Sequence, residues 1–303
     1  MGAQLRAVRR RIRSVQSTAK ITRAQELIAA SRIIKAQQRV HDAAPYAREV
    51  TSAVEAVVSR SGQVKHPLTT PAENPARAAV LVLTSDRGFC GGFNANVLRE
   101  TQSLRALLSQ QRIETVSYAS GRKGISWHRF RDRELAGEWS GFSDTPLGAN
   151  AGEITAALLE AYERPTEEGG VDEIHIVYNE FVSMLTQQPV VRRLLPLVIE
   201  ETTEEPPAGA LPVYEFEPSP EAVLDALLPW YVESRIFYAL LESSAAEIAA
   251  RRRAMKSATD NAHDLIEQLT RDANKARQAE ITQEISEIVG GANALADATS
   301  GSD

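Results

Sequence analysis

Residues 276–295 read ARQAEITQEISEIVGGANAL, and the apolar positions within them decide the fold. Ile281, Ile285, Ile288, Ala292 and Leu295 recur at intervals of four, three, four and three. The same rhythm runs upstream through Met255, Thr259, Ala262, Ile266, Leu269, Ala273 and Ala276. A sustained 3,4 alternation keeps one stripe of a helix against one partner, the mark of a coiled-coil seam. Ser219, Pro220 and Glu221 supply an N-cap, a first-turn proline and an early acid, so residues 219–298 read as one helix. At 1.5 Å per residue it would run on the order of 110 Å, too long to stand without a partner.

The other end of the chain supplies that partner. Leu5, Val8, Ile12, Val15, Ala19 and Thr22 repeat at 3,4,3,4,3, and helical pattern continues to about residue 58. Residues 1–58 hold 11 Lys/Arg against 4 Asp/Glu, a net of +7. Residues 219–303 hold 8 against 14, a net of −6. A basic helix repels its own copy but suits an acidic neighbour, so an antiparallel pair within one chain is expected. If both helices leave a central domain near residues 58 and 219, paired positions sum to about 277. Met1 then faces Ala276, and everything from Arg277 onward projects with an uncovered apolar stripe. Such a stripe is a binding element. The same register sets Lys20 and Arg23 level with residues 257 and 254, beside Arg251, Arg252 and Arg253, as a basic belt. A solvated helix face is the ordinary reading of such a charge run; the alignment of the two helices argues for more.

With 303 residues, 43% of them hydrophobic, the chain can bury a full domain core. A net charge of −6 argues against general nucleic-acid binding. The single cysteine, Cys90, excludes an internal disulfide and fits a reducing compartment. No apolar run approaches the roughly 18 residues a membrane span needs, so membrane attachment is expected only through partners. The first 25 residues carry seven basic residues and no acidic one, as transit peptides do. Their heptad continues unbroken, so they read as part of the mature helix.

Between the helices the pattern changes. A linker spans residues 60–75. Ala79–Thr84 is a continuous apolar strand of the kind covered on both faces, followed by the Gly-rich turn SDRGFCGGFN and a helix over Ala95–Leu108. A strand at Glu114–Ala119, a turn at GRKG, a helix over Asn150–Tyr162 and an acidic loop ERPTEEGG come next. Strands at Asp172–Val182 and Val190–Ile199 flank the turn LTQQP; an acidic linker and a short strand at Val213–Phe216 close the region. Pro45 should kink its helix or end its straight part, and Pro229 should kink the long helix soon after its start. The expected fold is α/β: a long antiparallel coiled coil of N- and C-terminal helices with a central Rossmann-like α/β domain, divided as 1–58, 76–217 and 219–298.

The Gly-rich turn is where a nucleotide site could hide, because such turns offer backbone N–H groups to phosphates. It matches neither dinucleotide nor P-loop spacing. Its plainer reading is a tight turn needing Gly88, Gly91 and Gly92 for backbone conformation, with Cys90 packed as a small hydrophobe. Five scattered histidines offer no metal-ligand spacing. No catalytic, cofactor-binding or metal residue is assigned. The alternative is a nucleotide-binding α/β enzyme with a coiled-coil assembly module, or a structural adaptor that never turns.

TSDRGFCGGFNANV, VYNEFVSMLTQQPVV, AMKSATDNAHDLI, ARQAEITQEISEIVGGANAL and the N-terminal IRSVQSTAKITRAQELIAASRI resemble the gamma subunit of bacterial-type F-type ATP synthases over nearly the whole chain. The resemblance implies a non-catalytic central-stalk rotor, one copy per complex, coupling rotation of a c-ring to ATP synthesis or hydrolysis. Its implied partners are the alternating alpha/beta hexamer, the epsilon subunit and the c-ring, at the cytoplasmic side of the cell membrane. It implies hexamer contacts for Arg251 and, near the shaft tip, Arg277, Gln278, Thr282 and Glu284; Lys20, Arg23, Arg252 and Arg253 join them as the rest of the belt. Tyr214 and Glu217 match positions facing the c-ring. Gln25 stands where the family often has methionine, and the cysteine-bearing insert of chloroplast relatives is missing.

Overall fold

The computed structural model describes residues 2–60, 70–197, 217 and 219–300. The chain divides into two compact units, one of Met1–Ile28 with Ala254–Asp303 and one of Ala29–Arg253. Two helices, α1 (Gly2–Arg60) and α5 (Pro220–Ser300), contribute to both.

The unit of residues 29–253 is built on β1 (Arg77–Leu83), whose run RAAVLVL is buried from its second residue on. Alternate residues of a strand point to opposite faces. Ala79, Leu81 and Leu83 therefore join Ala151, Ile154 and Leu158 of α4 (Gly148–Glu163), Val50, Val54 and Val57 of α1, and Leu224, Leu228, Val232 and Ile236 of α5. Ala78, Val80 and Val82 join Val97, Leu98, Leu104 and Leu108 of α2 (Phe93–Gln110) and Ile125 of α3 (Arg122–Arg129). Both faces are thus covered, which is why the strand shows no polar alternation. The remaining strands are β2 (Glu114–Ser120), β3 (Gly137–Trp139), β4 (Glu173–Phe181) and β5 (Gln187–Leu195), in the order β3-β2-β1-β4-β5. All neighbours are parallel except β4 and β5.

Several local expectations need correction. GRKG opens helix α3 instead of remaining a turn, and a 3-10 turn, Thr166–Glu168, sits inside ERPTEEGG. β5 begins at Gln187, so the hairpin turn is shorter than LTQQP; backbone pairing with β4 extends through polar side chains. At Pro45 and Pro229, where a bend and not an end is expected, α1 and α5 remain helical. Both prolines are exposed, so each missing N–H falls on a face that packing does not use. Of the turn's three glycines only Gly91 (φ 57°) takes the left-handed conformation; Phe89 (φ 62°) takes the other such position. Two glycines have backbone where a side chain would start: at Gly121 (φ 98°) a Cβ would lie 2.1 Å from the Thr84 carbonyl oxygen, and at Gly170 it would lie 1.8 Å from that of Arg164. The linker at 200–210, the strand at 213–216 and most of the 60–75 linker lie outside the described residues.

Ser219 caps α5, accepting the Ala222 N–H at 3.3 Å. Every residue from 241 to 250 of this helix is buried. Only a helix enclosed on all sides shows that pattern, and the sequence LESSAAEIAA is small enough to be so enclosed. Ala245, Ile248 and Ala249 pack on Ala29, Ile33 and Ala36 of α1, while Ala246 and Ala250 pack on Cys90 and Phe93.

In the other unit, the first part of α1 runs with the last part of α5. Buried Leu5, Ala19, Thr22 and Glu26 form the seam of one helix, and Met255, Thr259, Ala262, Leu269 and Ala273 that of the other. Thr22 Oγ1 and Thr259 Oγ1 share a hydrogen bond of 2.7 Å, so paired positions sum to 281. The register expected from the helix ends is wrong by about one turn, because counting from ends cannot resolve a turn that a buried polar pair fixes. Leu5, not Met1, is level with Ala276. Lys20 and Arg23 are level with Asn261 and Ala258, not with residues 257 and 254. The uncovered stretch starts one turn later than expected: all of residues 281–293 are exposed.

Candidate partner-binding surfaces

In the α/β unit, strand order reverses beside β1: β2 and β3 lie on one side of it, β4 and β5 on the other. Doubly wound sheets bind ligands in the crevice outside the strand ends at such a point. Here the turn after β1 meets the chain's own groups instead. The Ser85 N–H donates to Asn94 Oδ1 at 2.9 Å, the Asp86 N–H to Ser143 Oγ at 2.9 Å, and the Phe93 N–H to the Cys90 carbonyl at 3.2 Å. The Asp86 carboxylate accepts the N–H groups of Arg122, Gly141 and Ser143 at 2.8–3.1 Å. Asn179 donates to the Phe93 carbonyl at 3.1 Å. The turn presents carbonyls, not amides, to α5.

Arg251 receives them. Its Nη2 donates to the carbonyls of Arg87 and Gly88, both at 3.3 Å, and to Glu247 Oε1 at 2.7 Å. The side chains of Arg251 and Glu247 are 12% and 2% exposed. Burial pushes the Glu247 carboxyl up, and the charge and hydrogen bond of Arg251 and a hydrogen bond from Ser143 oppose it. Arg253 donates to the Leu185 carbonyl and, at 2.7 Å, to Gln187 Oε1, holding the β4–β5 turn. Of the three arginines expected as a free belt, Arg251 and Arg253 are therefore engaged by their own unit; Arg252 and Arg253 are exposed, and Arg251 is half-buried. Lys20 and Arg23, in the other unit, are exposed, with Arg23 paired to Glu26 at 2.8 Å.

At the end of α5, Arg277, Gln278, Thr282 and Glu284 are all exposed. Thr282 Oγ1 donates back to the Gln278 carbonyl at 2.9 Å, and Gln283 reaches Glu287 at 2.9 Å. Beside them stand Ile281 (46% exposed), Ile285, Ile288 (71%) and Val289. Glu217 is exposed; Tyr214 lies outside the described residues.

Sequence reasoning missed the ion network that fixes the Gly-rich turn. Asp144 takes Arg32 at 2.9 Å and Arg87 at 3.6 Å, and its carbonyl accepts Ser244 Oγ at 3.1 Å. The one legible hint was the i,i+4 spacing of Glu247 and Arg251, which are neighbours on a helix face.

An α/β body whose switch point is closed by its own helix, and a helix end that bares isoleucines, define a class: a subunit that acts by being held by other proteins. Residues 4–295 match the family model described as ATP synthase. The ATP synthase gamma chain of Acidothermus cellulolyticus is 61% identical over 295 residues, 97% of this chain and 98% of that one. That of Frankia casuarinae is 60% identical, over 99% and 100% of the two chains. The chain belongs to the ATP synthase gamma chain family. Its fold is similar to a chain in the rotor of Euglena gracilis mitochondrial ATP synthase, with TM-score 0.64 at 15% identity, over 93% of this chain and 100% of that one. A chain in the central stalk and c-ring of the Tetrahymena thermophila enzyme aligns with TM-score 0.60 at 24% identity, over 78% and 99%. Among the described residues no helix is long and apolar enough to cross a membrane.

Proposed function

We propose that this chain is the central-stalk rotor subunit of a proton-translocating F-type ATP synthase. It couples rotation of a c-ring to ATP synthesis or hydrolysis on an alternating alpha/beta hexamer, with the epsilon subunit as a further partner. It does no bond chemistry itself, and it sits peripherally at the cytoplasmic side of the cell membrane, attached through its partners. The observation that carries this reading is the bare end of α5: thirteen successive exposed residues, 281–293, continuing a seam that is buried up to Ala273. An apolar stripe left open by its own chain calls for a sleeve made by others. Arg277, Gln278, Thr282 and Glu284 flank that stripe and are assigned to the hexamer, with Lys20, Arg23 and Arg252 as lower contacts and Glu217 and Tyr214 facing the c-ring. Arg251 and Arg253 serve the hexamer indirectly, by shaping the turns they hold.

A turning shaft works through differential contact, each angle favouring a different set of conformations around it. A single deep well would stall it, so distributed weak contacts suit it better. The test is to reconstitute the complex in vesicles and measure ATP hydrolysis beside acidification. Arg277→Ala or Glu284→Ala alone should lower turnover by about two- to fivefold, the scale of one exposed polar contact, with assembly intact. Full turnover and an unchanged proton-to-ATP ratio with Arg277, Gln278, Thr282 and Glu284 all replaced by Ala would sink the assignment.

A further inference from the structure

The face formed by α2, α3 and the segment after α3 carries a cluster the rotor reading does not use. Three guanidiniums gather round Trp127 and His128. The Arg131 Cζ lies 4.2 Å from the indole centroid and the Arg133 Cζ 5.2 Å. Arg133 Nη1 donates to Gln102 Oε1 at 2.7 Å, and Arg105 Nη1 donates to Ser117 Oγ at 2.6 Å. Every one of these partners is a neutral acceptor or a π face. Among the described residues none of the three arginines has a carboxylate at ion-pair distance, although Asp132 and Glu134 alternate with them in sequence. The neighbouring Arg129 shows the contrast, bound to Glu138 by two hydrogen bonds of 2.7 and 2.9 Å.

Uncompensated charge of one sign is costly, and the cluster registers it. Burial, and then the charge of Arg133, pull the Arg105 pKa down. Burial holds the His128 imidazole down; a hydrogen bond to the Gly124 carbonyl opposes this, while Arg105, Arg133 and Arg131 add repulsion. Two buried nitrogens here lack partners: Nε2 of His128, whose Nδ1 faces the Gly124 carbonyl at 3.0 Å, and Nε2 of Gln102, the amide that accepts Arg133. The cluster is open to solvent on one side, with Arg131 exposed, Arg133 and Arg105 half-buried and Phe130 85% exposed. In a chain of net charge −6, such a concentration of unpaired cations is a place made for an anion.

We propose that Arg105, Arg131 and Arg133, with the Gln102 amide, form a binding site for a phosphate-bearing anion. Guanidinium forks match phosphate oxygens in pairs, and an anion seated there relieves the mutual repulsion of the three. The chemistry is shared by free polyphosphate-type anions and by phospholipid headgroups, and the test separates the two.

Pyrophosphate is titrated into the full-length chain by calorimetry, with the imidazole of His128 followed by NMR. Saturable binding is expected, weakening as salt rises, with the His128 pKa climbing as the anion offsets the arginine charge. Arg131→Ala should weaken binding about tenfold, the scale of one lost charge-assisted hydrogen bond, and Arg131→Ala with Arg133→Ala should abolish it. Arg129→Ala, which removes a cation already paired, should bind as the parent does. Binding only to vesicles containing phosphatidylglycerol, lost in the same double variant, would assign the phosphate to a lipid headgroup. No binding to either probe, or equal loss in Arg129→Ala, overturns the site. The double variant must keep the parental melting temperature; if it does not, the exposed Arg131→Glu variant alone decides, and parental affinity in it overturns the proposal.

Discussion

Arg251 shows how a residue's role changes once its neighbours are known. In the sequence it is the first of three arginines on a long helix, a natural candidate for contact with another protein. In the structure it neutralises a buried carboxylate and fastens the Gly-rich turn through two carbonyls. Removing one partner of a buried pair leaves an uncompensated group, which costs about 3–5 kcal/mol, whereas an exposed cation contributes little. Arg251→Ala should therefore destabilise the isolated chain by about 3 kcal/mol in chemical denaturation, and Glu247→Gln in the same chain should recover part of the loss. Arg252→Ala should stay within about 0.5 kcal/mol of the parent. Equal effects of Arg251→Ala and Arg252→Ala would show that the clamp is not structural. A loss of ATPase coupling in Arg251 variants would accordingly report on the turn it holds as well as on any direct contact.

Among the elements, the paired ends of α1 and α5 make the sharpest geometric statement. Their seam is largely small: Ala19, Thr22, Thr259, Ala262 and Ala273 are buried, with Glu26 among them. A seam of alanines specifies register weakly, since sliding one turn costs little packing. The Thr22–Thr259 hydrogen bond removes that ambiguity, because a slip would bury both hydroxyls away from each other. With Cys90→Ser as background, cysteines at Thr22 and Thr259 should form an intrachain disulfide under mild oxidation. Cysteines at Val15 and Ala262, whose positions sum to 277, should crosslink far more slowly. The reverse order of rates on a denaturing gel would restore the register counted from the helix ends.

For the whole molecule, the issue is which parts of the chain stabilise themselves and which wait for partners. The α/β unit buries both faces of its sheet and closes its own switch point. The end of α5 does neither: from residue 281 to 293 no side chain is buried. A segment that buries none of its residues adds little to stability. Ending the chain after Glu280 should leave the melting temperature within about 1 °C of the parent, since only about 0.5 kcal/mol or less is at stake. The same truncation should weaken capture of the alpha/beta partners in reconstitution. A large fall in melting temperature would mean that the end is covered by its own chain after all.

How far the sequence could be read follows from the range of the interactions involved. Heptad spacing, the two-sided apolar run of β1, the Ser219 cap and the bare isoleucine stripe are all visible in the sequence, because each depends on residues a few positions apart along one element. What the tertiary structure alone decided depends on groups distant in the chain. The register came from one hydroxyl pair 237 residues apart. The fate of Arg251 came from carbonyls 163 and 164 residues away, and that of Arg253 from a turn 66–68 residues away. The uncompensated arginines were legible as the run WHRFRDR, but whether its charges were paired was not. A carboxylate next in sequence, as Asp132 is to Arg131 and Arg133, can point elsewhere, while Glu138 folds back to take Arg129. Local spacing fixes which face of an element is apolar; only the packed chain fixes which charges have met their partners.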